Sequence, residues 1–332
     1  MRRMPAAAPP VHRDPMTPLA LLERTLRVFP EKTAVVYGET RWSWRRFGEE
    51  VGRLAGALER AGVAPGDRVA FLAPNVPELL VAHFGVLRAG AALVAINTRL
   101  HADEVGYILN HSGAKIVFCD PELAPLVRDA PAGLAARPLL VNVEDPVAGV
   151  TGAPLAGPRY GEFVAGAPVL SPGFALDDEE RLTSINYTSG TTGRPKGVMY
   201  THRGAFLNAL GEMYVHKLDR DSVFLWTLPL FHCNGWCFPW AVTGAGGTHV
   251  MLRRLEPGRV LELVRAEGVT HFNGAPTVLL MLAEAPEARG VRFEPPVPMR
   301  TLRCRRPGAA SLCQASIDTT VGAAFKWVMP TE

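Results

Sequence analysis

The sequence predicts an α/β protein of layered, mostly parallel sheets flanked by helices. Short, wholly apolar runs such as 69–72 and Ile116–Cys119 read as buried strands. Between them, apolar residues recur every three or four positions, the period of a helix with one buried face. From Thr33 to Cys119 the two patterns alternate, which implies parallel pairing with helices on both faces of a sheet.

In order, Thr33–Tyr37 and 41–44, joined by Gly38, Glu39 and Thr40, form a hairpin on a glycine turn. The next helix carries Phe47, Val51, Leu54, Ala55 and Leu58 on one face, and Gly62 is placed to end it. Pro65, Gly66 and Asp67 turn the chain into the strand at 69–72. A helix at 76–89, a strand at 92–96, a helix at 102–110 and the strand at Ile116–Cys119 continue the alternation. From 121 to 172 Pro, Ala and Gly become dense and periodicity weakens, which predicts a long surface excursion. A strand at 182–187 then leads directly into a loop at 188–197. From Met299 onward Arg300, Arg303, Arg305 and Arg306 fall within seven residues, and no strand or helix period is found before about Val321.

At 332 residues and 48% hydrophobic content, the chain can bury a substantial core, so disordered and fibrous classes are excluded. A formal charge of +3 with scattered basic residues argues against nucleic-acid binding. Cys119, Cys233, Cys237, Cys304 and Cys313 are too sparse for a disulfide framework and fit reduced thiols in a cytoplasm. Residues 1–16 have a basic start but are broken by prolines with no apolar stretch behind them, which predicts a disordered leader. The segment 222–252 holds no Asp, Glu, Lys or Arg and is long enough to span a bilayer. Pro229, Pro239, four glycines, Asn234 and two histidines would leave polar groups unpaired in lipid, so a buried strand, loop and helix is expected and no transmembrane segment.

The loop at 188–197, TSGTTGRPKG, gathers three glycines, four hydroxyl side chains and one lysine behind a strand. That composition suits a polyphosphate: glycines admit backbone N–H groups, hydroxyls donate hydrogen bonds, and Lys196 offsets negative charge. A plain Ser/Thr/Gly surface loop has the same composition. The spacing is not G-x-x-x-x-G-K-[ST], and no G-x-G-x-x-G follows a strand.

YTSGTTGRPKGV resembles the signature phosphate loop of the adenylate-forming superfamily, which includes acyl-CoA synthetases, peptide-synthetase adenylation domains and luciferases. The resemblance runs from about Thr17 to Thr277 and takes in GDRVAFLAPNVPE, INTRLHADEVGYILNHSGAKIVF, LPLFHCNGW and NGAPTV. It implies the N-terminal domain of an adenylate-forming enzyme, incomplete at the C-terminus, and acyl-CoA synthetase chemistry. A carboxylate attacks the α-phosphate of ATP to give an acyl-adenylate and pyrophosphate, and the thiol of coenzyme A then takes the acyl group. Such catalysis is positioning plus charge neutralisation.

By resemblance, Thr188, Ser189, Gly190, Thr191, Thr192, Gly193 and Lys196 would hold the β- and γ-phosphates. Gly308, Ala309 and Ala310 are what is recognisable of the adenine loop. Thr331 and Glu332 resemble the end of a Y-G-x-T-E motif, with Glu332 and Thr188 near Mg²⁺, a hard cation suited to oxygen. LPLFHCNGWCFPW, 228–240, resembles the acyl-tunnel segment, with His232 beside the adenylate carbonyl and Gly235, Trp236 and, across the pocket, Gly274 lining it. His232 and Lys196 are the residues implied in catalysis. Ordinary core packing is the alternative for Cys233, Cys237 and the tryptophans, and a zinc site from His232, Cys233 and Cys237 lacks a fourth ligand.

Amino-acid-activating domains place an aspartate in this segment to pair with the substrate ammonium. With no acid in 222–252, an uncharged acyl chain, short, medium or long, is the better fit. The implied partners are a small carboxylate, ATP, Mg²⁺ and coenzyme A, and a homodimer is compatible with them. A catalytically inactive nucleotide-binding homologue and an amino-acid-activating domain are the alternatives. RCRRPGAAS departs from the family pattern, and a compensated reading-frame slip between about 298 and 327 would explain it. The ribose-binding aspartate, the hinge and the small C-terminal domain with the adenylation lysine do not fall within these residues, so little or no acyl-CoA formation is expected of the chain alone.

Overall fold

The computed structural model describes residues 14–130, 138–149, 152–171, 173, 176–188, 194–288, 297–301 and 325–327. Strands β1 (Thr33–Tyr37), β2 (Thr40–Ser43), β9 (Val223–Leu225), β10 (Thr248–Val250), β11 (His271–Gly274), β12 (Val297–Thr301) and β13 (Phe325–Trp327) form one sheet, in the order β13-β12-β11-β9-β10-β1-β2. Strands β3 (Arg68–Leu72), β4 (Ala92–Ala95), β5 (Ile116–Cys119), β6 (Leu139–Asn142), β7 (Leu182–Thr188) and β8 (Lys196–Thr201) form a second, in the order β6-β5-β3-β4-β7-β8. Pairing is parallel except at one edge of each sheet, where β1 with β2 and β7 with β8 run antiparallel.

The helices are α1 (Pro18–Val28), α2 (Trp44–Arg60), α3 (Pro77–Arg88), α4 (Ala102–Ser112), α5 (Ala124–Arg128), α6 (Tyr160–Val164), α7 (His202–His216), the single turn α8 (Cys233–Trp236), α9 (Phe238–Ala245), α10 (Pro257–Ala266) and α11 (Pro276–Glu284). Strand alternation explains how they layer. Val69 and Phe71 of β3, Leu93 of β4 and Phe118 of β5 point into one large core with α1, α2, α3 and α9, and Val35, Phe224 and Trp226 enter it from the other sheet. Their neighbours Ala70, Leu72, Val94, Val117 and Cys119 face the opposite way, onto α4. Val36, Leu225 and Val250 face α10 and α11. A strand buried on both faces has to be apolar at every position, which is why 69–72 and Ile116–Cys119 show no polar alternation.

The expected elements from Thr33 to Cys119 are present, with ends shifted by a few residues. Gly38 makes the hairpin turn at φ +57°. Ser43 caps α2, its Oγ accepting from the Arg46 N–H at 3.2 Å, so Trp44 belongs to the helix rather than the strand.

Four expectations need correction. The stretch 121–172 is not wholly a surface excursion: β6 pairs in parallel with β5, and Asn142 and Asp145 are buried. Part of it lies against α2, where a β-carbon at Gly52 or Gly56 would come within 2.4 Å of the Leu170 carbonyl oxygen or 2.1 Å of that of Pro168. Residues 188–197 are not all loop, since Thr188 ends β7 and Lys196 begins β8. The stretch from Met299 does not lose its period at once, because β12 runs to Thr301 and pairs in parallel with β11, while β13 falls after Val321, where period was expected to return. Of the leader, residues 1–13 lie outside the described residues, while the Met16 N–H is held by Glu179 Oε1 at 2.8 Å. The sequence patterns do not predict β6, β8, β11, α1, α5, α6, α7, α10 or α11.

Candidate functional site

The glycine-rich segment joins two antiparallel neighbours. Thr188 and Lys196 are register partners at the ends of β7 and β8, so the two exposed side chains leave the same face of the hairpin rim. Helix α4 supports both limbs. His111 Nδ1 lies 2.8 Å from the Tyr187 hydroxyl, Tyr107 stacks on His111 at 5.3 Å, and the Arg194 guanidinium sits 5.3 Å above the Tyr107 ring. The sequence reading missed this support, because HADEVGYILNH carries its aromatic groups four residues apart on a helix with no chemical signature of its own.

A cavity of about 450 Å³ opens where the C-terminal ends of parallel strands from both sheets converge. Its wall comes from the segments after β3 (Asn75), β4 (Asn97, Arg99), β9 (Thr227, His232), β10 (Arg253) and β11 (Thr277). Strand ends in open α/β sheets are where ligands bind, because the diverging connections leave a crevice. Asn75 fastens the two sides: its Nδ2 donates to the carbonyls of Trp226 and Leu228, both at 2.9 Å, and its Oδ1 accepts from the Leu230 N–H at 2.8 Å. Both amide donors and one acceptor lone pair go to one segment of the opposite sheet.

That segment ends in a left-handed turn. Cys233, Asn234, Gly235, Trp236 and Cys237 have φ of 49°, 52°, 56°, 58° and 63°, so four side-chain-bearing residues stay in a conformation costing about 1–2 kcal/mol each. Buried contacts hold it. Asn234 Nδ2 donates to Ser184 Oγ of β7 at 2.6 Å, and the Cys237 carbonyl accepts from the first turn of α9 at Trp240 and Ala241. Strain of this kind concentrates at functional positions.

His232 lines the cavity immediately before this turn. Burial, and after it the charge of Arg99, lower its pKa below the ordinary imidazole value. It therefore stands as a neutral hydrogen-bonding group at neutral pH. Among the described residues no acidic side chain lines the cavity, whereas Arg99 and Arg253 do. Arg253 is already committed: it bonds Asp120 at 2.7 Å, Asp145 at 3.0 Å and Glu122 at 2.6 Å, and so ties the end of β10 to the ends of β5 and β6.

Of the residues proposed from sequence, the structure brings His232 onto the cavity, together with Ala275, Thr277 and Val278 of NGAPTV, and sets Thr188 opposite Lys196. Gly235 is buried within the turn and Gly274 within β11, neither on the cavity wall. Trp236 is 37% exposed, against the apolar pocket or core expected of it, whereas Trp240 is in the core. Ser189, Gly190, Thr191, Thr192, Gly193, Gly308, Ala309, Ala310, Thr331 and Glu332 lie outside the described residues, as do Cys304 and Cys313. Cys119, Cys233 and Cys237 carry free thiols. Among the described residues, no group of three or more His, Cys, Asp or Glu is placed to hold a metal ion, and no helix is long and apolar enough to cross a membrane.

Two mostly parallel sheets with a common helical core, and a glycine- and threonine-rich segment closing the antiparallel edge of one of them, are the architecture of an adenylate-forming enzyme. The chain belongs to the AMP-binding enzyme family, which it matches over residues 22–324. It is 41% identical over 279 residues to 4-hydroxybutyrate–CoA ligase 2 of Metallosphaera sedula, covering 84% of this chain and 51% of that protein. It is 37% identical to a peroxisomal acetate/butyrate–CoA ligase of Arabidopsis thaliana, with the same coverage. The chain thus spans about half the length of the curated relatives it matches. Among solved structures, the inhibitor-bound N-terminal domain of FACL13 from Mycobacterium tuberculosis superposes with a TM-score of 0.75 at 26% identity, over 91% of this chain and 73% of that one. ATP-bound MatB from Rhodopseudomonas palustris shares the fold, with a TM-score of 0.78 at 24% identity over 95% of this chain and 60% of that one.

Proposed function

We propose that this chain forms the nucleotide- and acyl-binding part of an ATP-dependent carboxylate–CoA ligase, and that its acid is a short, uncharged-chain carboxylate. The observation that carries this reading is the cavity beside His232, whose polar lining among the described residues is amide, hydroxyl, imidazole and guanidinium with no acid. An ammonium-bearing substrate would find no counter-charge among these lining residues, while a carboxylate meets Arg99 and a neutral imidazole able to donate a hydrogen bond. The relatives whose names specify acetate, butyrate and 4-hydroxybutyrate support the short end of the range.

In this reading the loop after Thr188 receives the β- and γ-phosphates and Lys196 offsets their charge. His232 orients the acyl carboxyl toward the α-phosphorus. Mg²⁺ would stand at Thr188 with Glu332, where it would neutralise phosphate oxygens; the hydroxyl and carboxylate are oxygen donors suited to it. Exposed Thr188, at the end of β7, is open to such a ligand. Coenzyme A is the acyl acceptor.

Titration of the protein with stable acyl-sulfamoyl adenosines, which keep the adenylate geometry, tests the reading. Butyryl-sulfamoyl adenosine is expected to bind, and Lys196→Ala to weaken MgATP binding by about tenfold or more, the effect of losing a charge-assisted contact. Tighter binding of an aminoacyl analogue than of its uncharged isostere would overturn it in favour of amino-acid activation.

A further inference from the structure

Directly behind the left-handed turn, the nearest side chain is that of Trp226. A β-carbon at Gly235 would stand 2.7 Å from Cζ3 and 3.0 Å from Cη2 of Trp226, so the turn rests on the outer edge of that indole. Trp226 is fully buried, and its orientation is fixed from every side. Its Nε1–H donates to His249 Nδ1 at 3.1 Å, and the two rings lie nearly parallel, at 13° with centroids 5.9 Å apart. Because Nδ1 accepts, the imidazole proton is on Nε2, 3.1 Å from Thr243 Oγ1. Trp44 stands edge-on to His249 at 5.9 Å, and Phe224 closes the indole's other side at 5.0 Å. Turning the indole would leave a buried N–H without its acceptor, which a core of this kind resists.

We propose that Trp226, locked by His249, is the stop that limits the length of the acyl chain. This rests on the reading of the cavity beside His232 as the acyl site. Trp226 lines the same cavity as His232, so with the carboxyl at His232 a chain extending inward through that cavity meets Trp226. The absent β-carbon at Gly235 lets the turn pack directly on the indole and hold it in place, and the indole occupies the space that further methylenes would need. His249 acts through Trp226, as a positioning residue.

The test compares the protein with its Trp226→Leu, Trp226→Ala, His249→Leu and His249→Asn variants, titrated calorimetrically with acetyl-, butyryl-, hexanoyl- and octanoyl-sulfamoyl adenosine. The readout is the ratio of long-chain to short-chain affinity. The unsubstituted protein is expected to lose affinity from hexanoyl onward. In Trp226→Leu and Trp226→Ala each added methylene should instead gain about fourfold. His249→Leu should move the ratio the same way by a smaller factor, since the indole is released but not removed. His249→Asn, whose Oδ1 can accept the indole N–H, should keep the original ratio. A Trp226→Leu profile that still falls from hexanoyl onward overturns the proposal. Should the leucine and alanine variants fail to fold, Trp226→Phe keeps most of the core volume and carries the same expectation over fewer methylenes. If the unsubstituted protein binds no member of the series, the acyl-site reading falls and takes this proposal with it, an outcome distinct from a length preference that ignores Trp226.

Discussion

The guanidinium of Arg194 lies over the ring of Tyr107, 5.3 Å from its centroid, and so fastens the downstream limb of the glycine-rich segment to helix α4. The upstream limb is fastened to the same helix through Tyr187 and His111. Loss of the ring in Tyr107→Ala removes a cation–π contact of about 0.5–1 kcal/mol. If the hairpin presents the phosphate site, apparent affinity for MgATP should fall about two- to fivefold, with Tyr107→Phe near the original value. Calorimetric titration with MgATP checks this, and equal affinities for all three proteins would separate α4 from nucleotide binding.

Asn75 makes three buried hydrogen bonds to the 226–230 segment. Asn75→Ala orphans two carbonyls and one N–H, at about 1–3 kcal/mol for each group that water cannot reach. Asn75→Asp keeps the acceptor but loses both donors, and should be nearly as damaging. Urea denaturation gives the cost, and a loss below about 1 kcal/mol for Asn75→Ala would mean that the segment re-pairs its polar groups elsewhere.

Arg253 is 6% exposed at its side chain and faces Asp120 and Asp145 at 0% and 2%. Arg253→Ala leaves two buried carboxylates facing one another, and an expected loss of about 3–5 kcal/mol follows from breaking a buried pair on one side only. Arg253→Lys keeps the charge without the fork and should lose less. The urea midpoints of the two variants should rank in that order.

Burial lowers the pKa of His83 to about 4, of His202 to about 4 and of His249 to about 3, against an ordinary value of 6.5. The native state then binds fewer protons than the unfolded chain between pH 6.5 and those values. Their contribution to stability is therefore complete above pH 6.5 and lost as the pH falls through the window. Glu78 has the opposite sign: burial raises its carboxyl to about 7 from 4.5, so its contribution is present below pH 4.5 and lost as the pH rises to about 7. Urea denaturation across pH 4 to 7 should show His202→Gln weakening the loss of stability on acidification, and Glu78→Gln giving its largest relative gain at the neutral end. Parallel pH profiles for the variants and the original would contradict the assignment.

The sequence by itself determined the alternation of buried strands and helices from Thr33 to Cys119, because a strand covered on both faces must be apolar throughout and a half-buried helix must show its period. It also determined the family, because a run of glycines, threonines and a lysine behind a strand is local chemistry written in consecutive residues. It gave the right environment for Trp240 and the wrong one for Trp236, since an indole reads the same whichever way the backbone turns it. Only the tertiary structure decided that five consecutive residues from Cys233 turn left-handed, because that conformation is held by Ser184 and by the packing beneath Gly235. Only it brought Asn75 to Leu230, Arg253 to Asp120 and Trp226 to His249, pairs separated by 155, 133 and 23 residues. Composition and periodicity report what a residue needs, namely burial, a partner or a charge. Which distant residue supplies it depends on how the sheets and helices close on one another, and that is where the shape of the candidate acyl site was set.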